Sequence, residues 1–141
     1  MPPIVSFRDL EVWQLGMELV VDVYRVSEQF PSAERYGLTS QVRRASVSLP
    51  SNIAEGHARR DGAYLNHVRI ALGSQAEVTT EIEVAVRLGL LTRESAQPVL
   101  DNVDRVRQML HGLRRSLEAK RQREITAGIV TVLVCAAVLF F

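Results

Sequence analysis

The chain has almost no cysteine. Cys135 stands alone among 141 residues. One thiol makes neither an internal disulfide nor a zinc site, so a reducing compartment is expected. Glycine and proline are sparse, at eight and five. No run alternates apolar and polar residues over a strand-like length, which leaves helix as the default. The opening residues lack a basic region followed by an apolar run, so no signal peptide is expected. Lysine is nearly missing as well: Lys120 stands against sixteen arginines.

Several chemical signatures are also missing. There is no phosphate-cradling glycine loop, no dinucleotide fingerprint and no Gly-x-Ser-x-Gly elbow. A di-iron bundle needs two Glu-x-x-His pairs, and none occurs. His57, His67 and His111 are isolated in sequence and read as surface or boundary positions. Glu55 and His57 are two apart, which turns them to different faces of a helix. Glu77 and Glu81 share a face, but nothing marks a substrate pocket. Cys135 lies in an apolar run, a poor setting for a thiolate nucleophile. The chain therefore reads as non-enzymatic, with no catalytic residue, no cofactor site and no metal site.

What is present is a globular composition, 47% apolar and 23% charged, in a length that suits one domain with a real core. Four helical stretches follow. Helix 1 is expected from about Phe7 to Gln29, with Ser6 as cap and Asp9 closing a capping box. Placed at intervals of about 100°, its apolar residues form two stripes. Leu10, Trp13, Met17, Val20 and Tyr24 make the first; Val12, Leu15, Leu19, Val23, Val26 and Phe30 make the second. Together they cover an arc of about 200°, twice what one buried face needs. Either the helix lies deep in its own bundle, or the second stripe meets another subunit; the second reading is favoured, since a lone bundle needs no such arc.

Phe30-Pro31 ends helix 1. Helix 2 runs from about Gly37 to Arg59 on the stripe Leu38, Val42, Ala45, Leu49 and Ile53, with Pro50 inside it as a kink. Asp61 caps helix 3, from about Gly62 to Leu88, on Tyr64, Val68, Ala71, Val78, Ile82 and Val86. Gly73, Ala76 and Thr80 give it a face of small side chains. Gly89 stops it in a left-handed turn. Thr92 caps helix 4, which reaches about Lys120 on Val99, Val103, Val106, Leu110, Leu113 and Leu117. Short connections imply an all-α, antiparallel, up-down-up-down four-helix bundle over residues 1–120, followed by an apolar C-terminal segment over 121–141.

That segment carries no charge from Ile125 to Phe141. As a helix it would span about 25 Å, just short of the roughly 30 Å hydrocarbon core. Between Arg105 and Glu124, seven basic residues face two acidic ones, which suits a cytoplasmic flank. The alternatives are an apolar helix packed on the bundle, or a chain end from an altered reading frame.

Helix 2 also carries a polar stripe: Gln41, Arg44, Ser48, Asn52, Glu55 and Arg59 recur at spacings of three and four. Gln, Ser and Asn suit fixed hydrogen bonds better than a solvated face does. Ser74 and Glu77 of helix 3 are the expected partners. The stripe is either a structural network or subunit contact, or a direct ligand contact.

The segment from Gln41 through Arg43, Arg44, Ser48, Pro50 and Asn52-Ile53-Ala54-Glu55-Gly56 resembles the signature of the bacterial family of the 23S rRNA intervening-sequence protein. Phe7, Leu10 and Trp13 fit it, as do Phe30-Pro31, Tyr36-Gly37-Leu38 and Gly73-Ser74 with Glu77. The resemblance covers about residues 7–118. It implies an antiparallel four-helix bundle that assembles as a homopentamer, without enzymatic activity. A related branch, the accessory variability protein of diversity-generating retroelements, binds RNA and a reverse transcriptase through a basic surface. The tail from Ile125 departs from the family pattern.

Two functions are therefore expected in competition. One is an RNA-binding accessory module using Arg43, Arg44, Arg59, Arg60, Arg69, Arg105, Arg107, Arg114 and Arg115, since guanidinium forks fit phosphate. A net charge of only +1 weighs against it. The other is a protein-interaction scaffold held at a membrane through Ile125 to Phe141. The expected location is the cytoplasm, with a tether to the inner membrane as the alternative.

Overall fold

The computed structural model describes residues 3–59 and 62–140. Four helices carry the fold: α1 (Glu11–Ser27), α2 (Leu38–Arg59), α3 (Ala63–Arg87) and α4 (Arg93–Phe140). α1 packs on α2 and α4, and α3 packs on the same two. No contact joins α1 to α3 or α2 to α4 among the described residues, so the helices stand at four corners of a bundle. Neighbours run antiparallel. Ser27 of α1 meets Arg43 of α2, while Gly16, a helical stretch earlier, abuts Leu49 and Pro50.

Local chemistry sets the ends. Ser6 and Asp9 form the capping box, but around a single 3-10 turn, Phe7–Asp9; α1 begins only after Leu10. Gly89 takes φ 73° at the end of α3. There the Leu90 N–H reaches the Ala85 carbonyl at 2.8 Å and the Gly89 N–H that of Val86 at 3.0 Å. This pairing satisfies the last carbonyls of α3 and turns the chain into α4. Thr92 Oγ1 accepts the Ser95 N–H at 3.1 Å and caps α4. Asp61, the expected cap of α3, lies outside the described residues.

The core is built from the stripes of α2 and α4 that the spacing picks out, with Val68, Ala71, Val78 and Ile82 of α3. For α1 the structure reverses the expectation. The second stripe, Val12, Leu15, Leu19, Val23 and Phe30, is buried inside this chain's own core. The first stripe is divided: Leu10 and Trp13 pack against the core and Val20 is half-buried, while Met17 and Tyr24 are each 42% exposed, beside exposed Val21. Small residues explain the choice. Gly16 and Ser27 lie beside the second stripe and let α1 approach α2 closely.

Pro50 sits buried within a continuous α2. The small-residue face of α3 packs against no other element among the described residues: Gly73, Ala76 and Thr80 are exposed. Helix 4 does not end near Lys120. No glycine or proline interrupts the chain there, and α4 continues unbroken through residue 120 into the apolar segment. Beyond Leu117 it leaves the bundle, and Ile125, Ile129, Val132 and Leu133 are exposed. Among the described residues no helix is long and apolar enough to cross a membrane.

Candidate functional site

The polar stripe of α2 becomes a seam between α2 and α3. Ser48 Oγ lies 2.9 Å from Ser74 Oγ. Asn52 Nδ2 donates to the Ser48 carbonyl at 2.9 Å and to Ser48 Oγ at 3.2 Å. Asn52 Oδ1 therefore faces the other way, 3.0 Å from His67 Nδ1. Ser74 Oγ donates to the Ile70 carbonyl at 3.2 Å. The donors run in one direction: His67 to Asn52, Asn52 to Ser48, Ser48 to Ser74, Ser74 to backbone. This order places the ring proton of His67 on Nδ1. Glu55 Oε1 stands 3.8 Å from His67 Nε2 and takes an Arg59 N–H at 2.9 Å.

His67 corrects the expectation of a surface or boundary histidine, for it is only 9% exposed. Its partner Asn52 is fifteen positions away across the α2–α3 turn, so sequence spacing gave no sign of it. Gln41 and Glu77 fall outside the seam. Both are exposed and hydrogen-bond to none of its members among the described residues.

Further along α3, Glu81 is partly buried, and its Oε2 has no hydrogen-bond partner among the described residues. Burial, with the charge of Glu77 adding to it, pushes the Glu81 carboxyl up to about 7. Charge is costly where no donor answers it.

The nine arginines expected at a nucleic-acid surface separate into groups. Arg43 is folded onto its own chain. Its Nε donates to Ser27 Oγ at 2.8 Å and its guanidinium lies 4.5 Å from the Tyr24 ring centroid. Arg59 pairs with Glu55 at 2.9 Å and Arg107 with Asp104 at 2.7 Å. Arg69 of α3 and Arg114 of α4 meet at one carboxylate, Glu118, at 3.6 and 3.9 Å. Arg60 lies outside the described residues. Arg44, Arg105 and Arg115 are exposed and make no ion pair among the described residues. Arg44 stands on α2 and the other two on α4, the opposite corner, so they do not form one patch. Arg123, which was not among the nine, is exposed and unpaired in the same sense and extends the α4 series.

The model of the 23S rRNA-intervening sequence protein family matches residues 8–112. The chain belongs to that family. The match spans α1, α2 and α3 and the first part of α4, and ends within the basic stretch, before the apolar extension. A crystal structure of a protein of unknown function from the S23 ribosomal protein family of Bacteroides thetaiotaomicron has the same fold. It aligns with a TM-score of 0.68 at 20% identity, covering 73% of this chain and 97% of that one. No curated protein matches the sequence. Within the family segment, the Asn-Ile-Ala-Glu-Gly stretch acquires a physical meaning here. Asn52 and Glu55 address His67, Ile53 enters the core, and Gly56 lets α3 come close. A Cβ on Gly56 would stand 2.6 Å from Tyr64 Cδ2 and 2.8 Å from His67 Cβ.

Proposed function

We propose that this protein is a non-catalytic RNA-binding module that works as an assembly of its own copies. One observation carries the reading. Along the outside of α4, Arg105, Arg115 and Arg123 are exposed and free of carboxylate partners among the described residues. Three unpaired guanidinium groups on one rigid helix are suited to phosphate contacts that release counterions. The family's tie to 23S rRNA intervening sequences gives the same direction. Arg44, on the opposite corner, adds to a charged surface that repeated copies would multiply.

The exposed part of α1 supports the self-association in this reading. Met17, Val21 and Tyr24 are large apolar side chains left in solvent. Exposed Val47 lies one turn along α2 from Arg43, which stacks on Tyr24. A contiguous apolar strip rimmed by polar groups is what a subunit contact requires.

A second reading, a protein or membrane scaffold, has its own observation: the bare apolar flank of α4 beyond Leu117. The two are separated by titrating the protein with a structured RNA at several salt concentrations. Binding that weakens steeply with salt supports the RNA module. Absence of binding at low salt supports the scaffold.

A further inference from the structure

Beyond Leu117, the last residue of α4 that packs on the core, the helix runs on in solvent. Ile125, Ile129, Val130, Val132, Leu133 and Val134 are each 48% to 67% exposed. Placed at intervals of about 100°, these six side chains cover an arc of about 200°. The rest of the circumference carries only Ala127, Gly128, Thr131 and Cys135, none of them charged. A helix that docks on one surface needs an apolar stripe of about 100° or somewhat more and keeps charge on the opposite side. A helix without charge on any side suits a medium that surrounds it.

The hydroxyls of this segment are already answered. Thr126 Oγ1 donates to the Gln122 carbonyl at 3.0 Å, and Thr131 Oγ1 donates to the Ala127 carbonyl at 2.9 Å. In hydrocarbon an unanswered hydroxyl is costly, because no water pairs with it. Charge returns abruptly on the bundle side. From Lys120 to Glu124 there are three bases and one acid. The acid, Glu124, lies 3.9 Å from Lys120. Arg121 and Arg123 are exposed and make no ion pair among the described residues. The three bases spread over about 160° of the helix. All lie within about 8 Å of Ile125 along the axis, which matches the headgroup layer of roughly 5–8 Å on each side of a bilayer.

We propose that α4 from Ile125 onward inserts into a lipid bilayer whose near leaflet carries anionic headgroups. The apolar turns enter the hydrocarbon, Lys120, Arg121 and Arg123 meet the lipid phosphates, and the bundle stands off the surface. From Ile125 to Phe140 the helix measures about 24 Å, short of the roughly 30 Å hydrocarbon core. It is therefore an inserted end and not a span: no helix among the described residues is long and apolar enough to cross a membrane. A second copy packed alongside would cover one side of the segment and leave the other wet. Arg105 lies about 30 Å along the helix from Ile125, so RNA on α4 and a bilayer at its end do not collide. The membrane contact goes beyond the RNA reading and shares with it only Arg123.

The test is flotation of the full-length protein with two kinds of vesicle, phosphatidylcholine alone and two-thirds phosphatidylcholine with one-third phosphatidylglycerol. Binding to the anionic vesicles is expected, with binding to the neutral ones at least about tenfold weaker. Ile129→Glu combined with Leu133→Glu changes two exposed side chains outside the core. It is expected to weaken binding to both vesicles by at least about tenfold while the thermal melt of the bundle stays as it was. Lys120→Gln combined with Arg121→Gln is expected to remove most of the preference for phosphatidylglycerol and to leave binding to neutral vesicles unchanged. Equal binding to the two vesicles, or full binding by the Ile129→Glu, Leu133→Glu variant, would overturn the proposal. So would a protein that stays off both vesicles and forms assemblies which the glutamate variant dissolves, since a second copy would then cover the flank. RNA binding measured on the glutamate variant keeps the two ideas apart. Lost vesicle binding with intact RNA binding supports a separate membrane end, and vesicle binding by a protein that holds no RNA supports it as well. Loss of both in that variant would overturn its independence.

Discussion

Asn52 Oδ1 lies 3.0 Å from His67 Nδ1, and this contact fixes the orientation of both side chains at the α2–α3 seam. The Asn52 amide is committed to Ser48 on its other side, so neither ring nor amide turns without breaking the chain of donors. Asn52→Leu removes the acceptor and leaves a nearly buried ring N–H unanswered. The expected cost is about 1–3 kcal/mol of stability, seen as a lower melting temperature. An unchanged melting temperature would show that the seam carries no structural weight.

Gly56 makes the same point through packing. Alanine favours a helix over glycine by about 1 kcal/mol, so substitution inside a helix ordinarily helps. At Gly56 the added Cβ would meet Tyr64 at 2.6 Å and the His67 Cβ at 2.8 Å. Gly56→Ala is therefore expected to destabilise by about 1–3 kcal/mol. Gly73→Ala, where a Cβ meets nothing within 4 Å, is expected to stabilise by about 0.5–1 kcal/mol. Denaturant melts of the two variants should shift in opposite directions.

Glu81 gives a pH dependence whose sign is determined. Its carboxyl titrates near 7 in the folded protein, raised by burial and by Glu77, against an ordinary value of 4.5. The folded state therefore holds the proton more tightly than the unfolded state does. The resulting stability is complete below about pH 4.5, declines as pH rises, and is gone above about pH 7. Glu81→Gln removes that loss. Melting temperatures followed from pH 5 to 8 should show the variant gaining on the native protein towards the alkaline end. Parallel curves would rule out a Glu81 carboxyl that resists ionisation in the fold.

The exposed part of α1 is tested by a charge. Met17→Asp places a carboxylate on the exposed apolar strip without touching the core residues Leu15 and Leu19. Light scattering is expected to show a smaller assembly with an unchanged helical spectrum. An assembly of unchanged mass would move the subunit contact to another face.

Much of this molecule was legible in the spacing of its apolar residues, because a helix that buries one face must repeat at three and four. The stripes of α2 and α4 behave this way, and so does the stop at Gly89. α1 was ambiguous since both of its stripes are apolar, and periodicity does not say which faces inward. Gly16 and Ser27, small residues beside Val12, Leu19 and Val23, were the available signal. Ser48, Asn52 and Ser74 announced a hydrogen-bonded seam by residue type. His67 did not, because its partner comes from another helix. The arginines showed the limit most plainly. Composition counts guanidinium groups but not their partners, and Glu55, Asp104 and Glu118 occupy several of them.

In the proposed function, α4 arginines that make no ion pair among the described residues hold RNA. The most direct measurement is the affinity of the full-length protein for a structured RNA across a salt series, compared with an Arg105→Gln, Arg115→Gln, Arg123→Gln variant. The account predicts binding that falls steeply with salt, with the variant weaker and its slope of log affinity against log salt reduced by roughly three. Equal affinity and equal slope for the two proteins would contradict it.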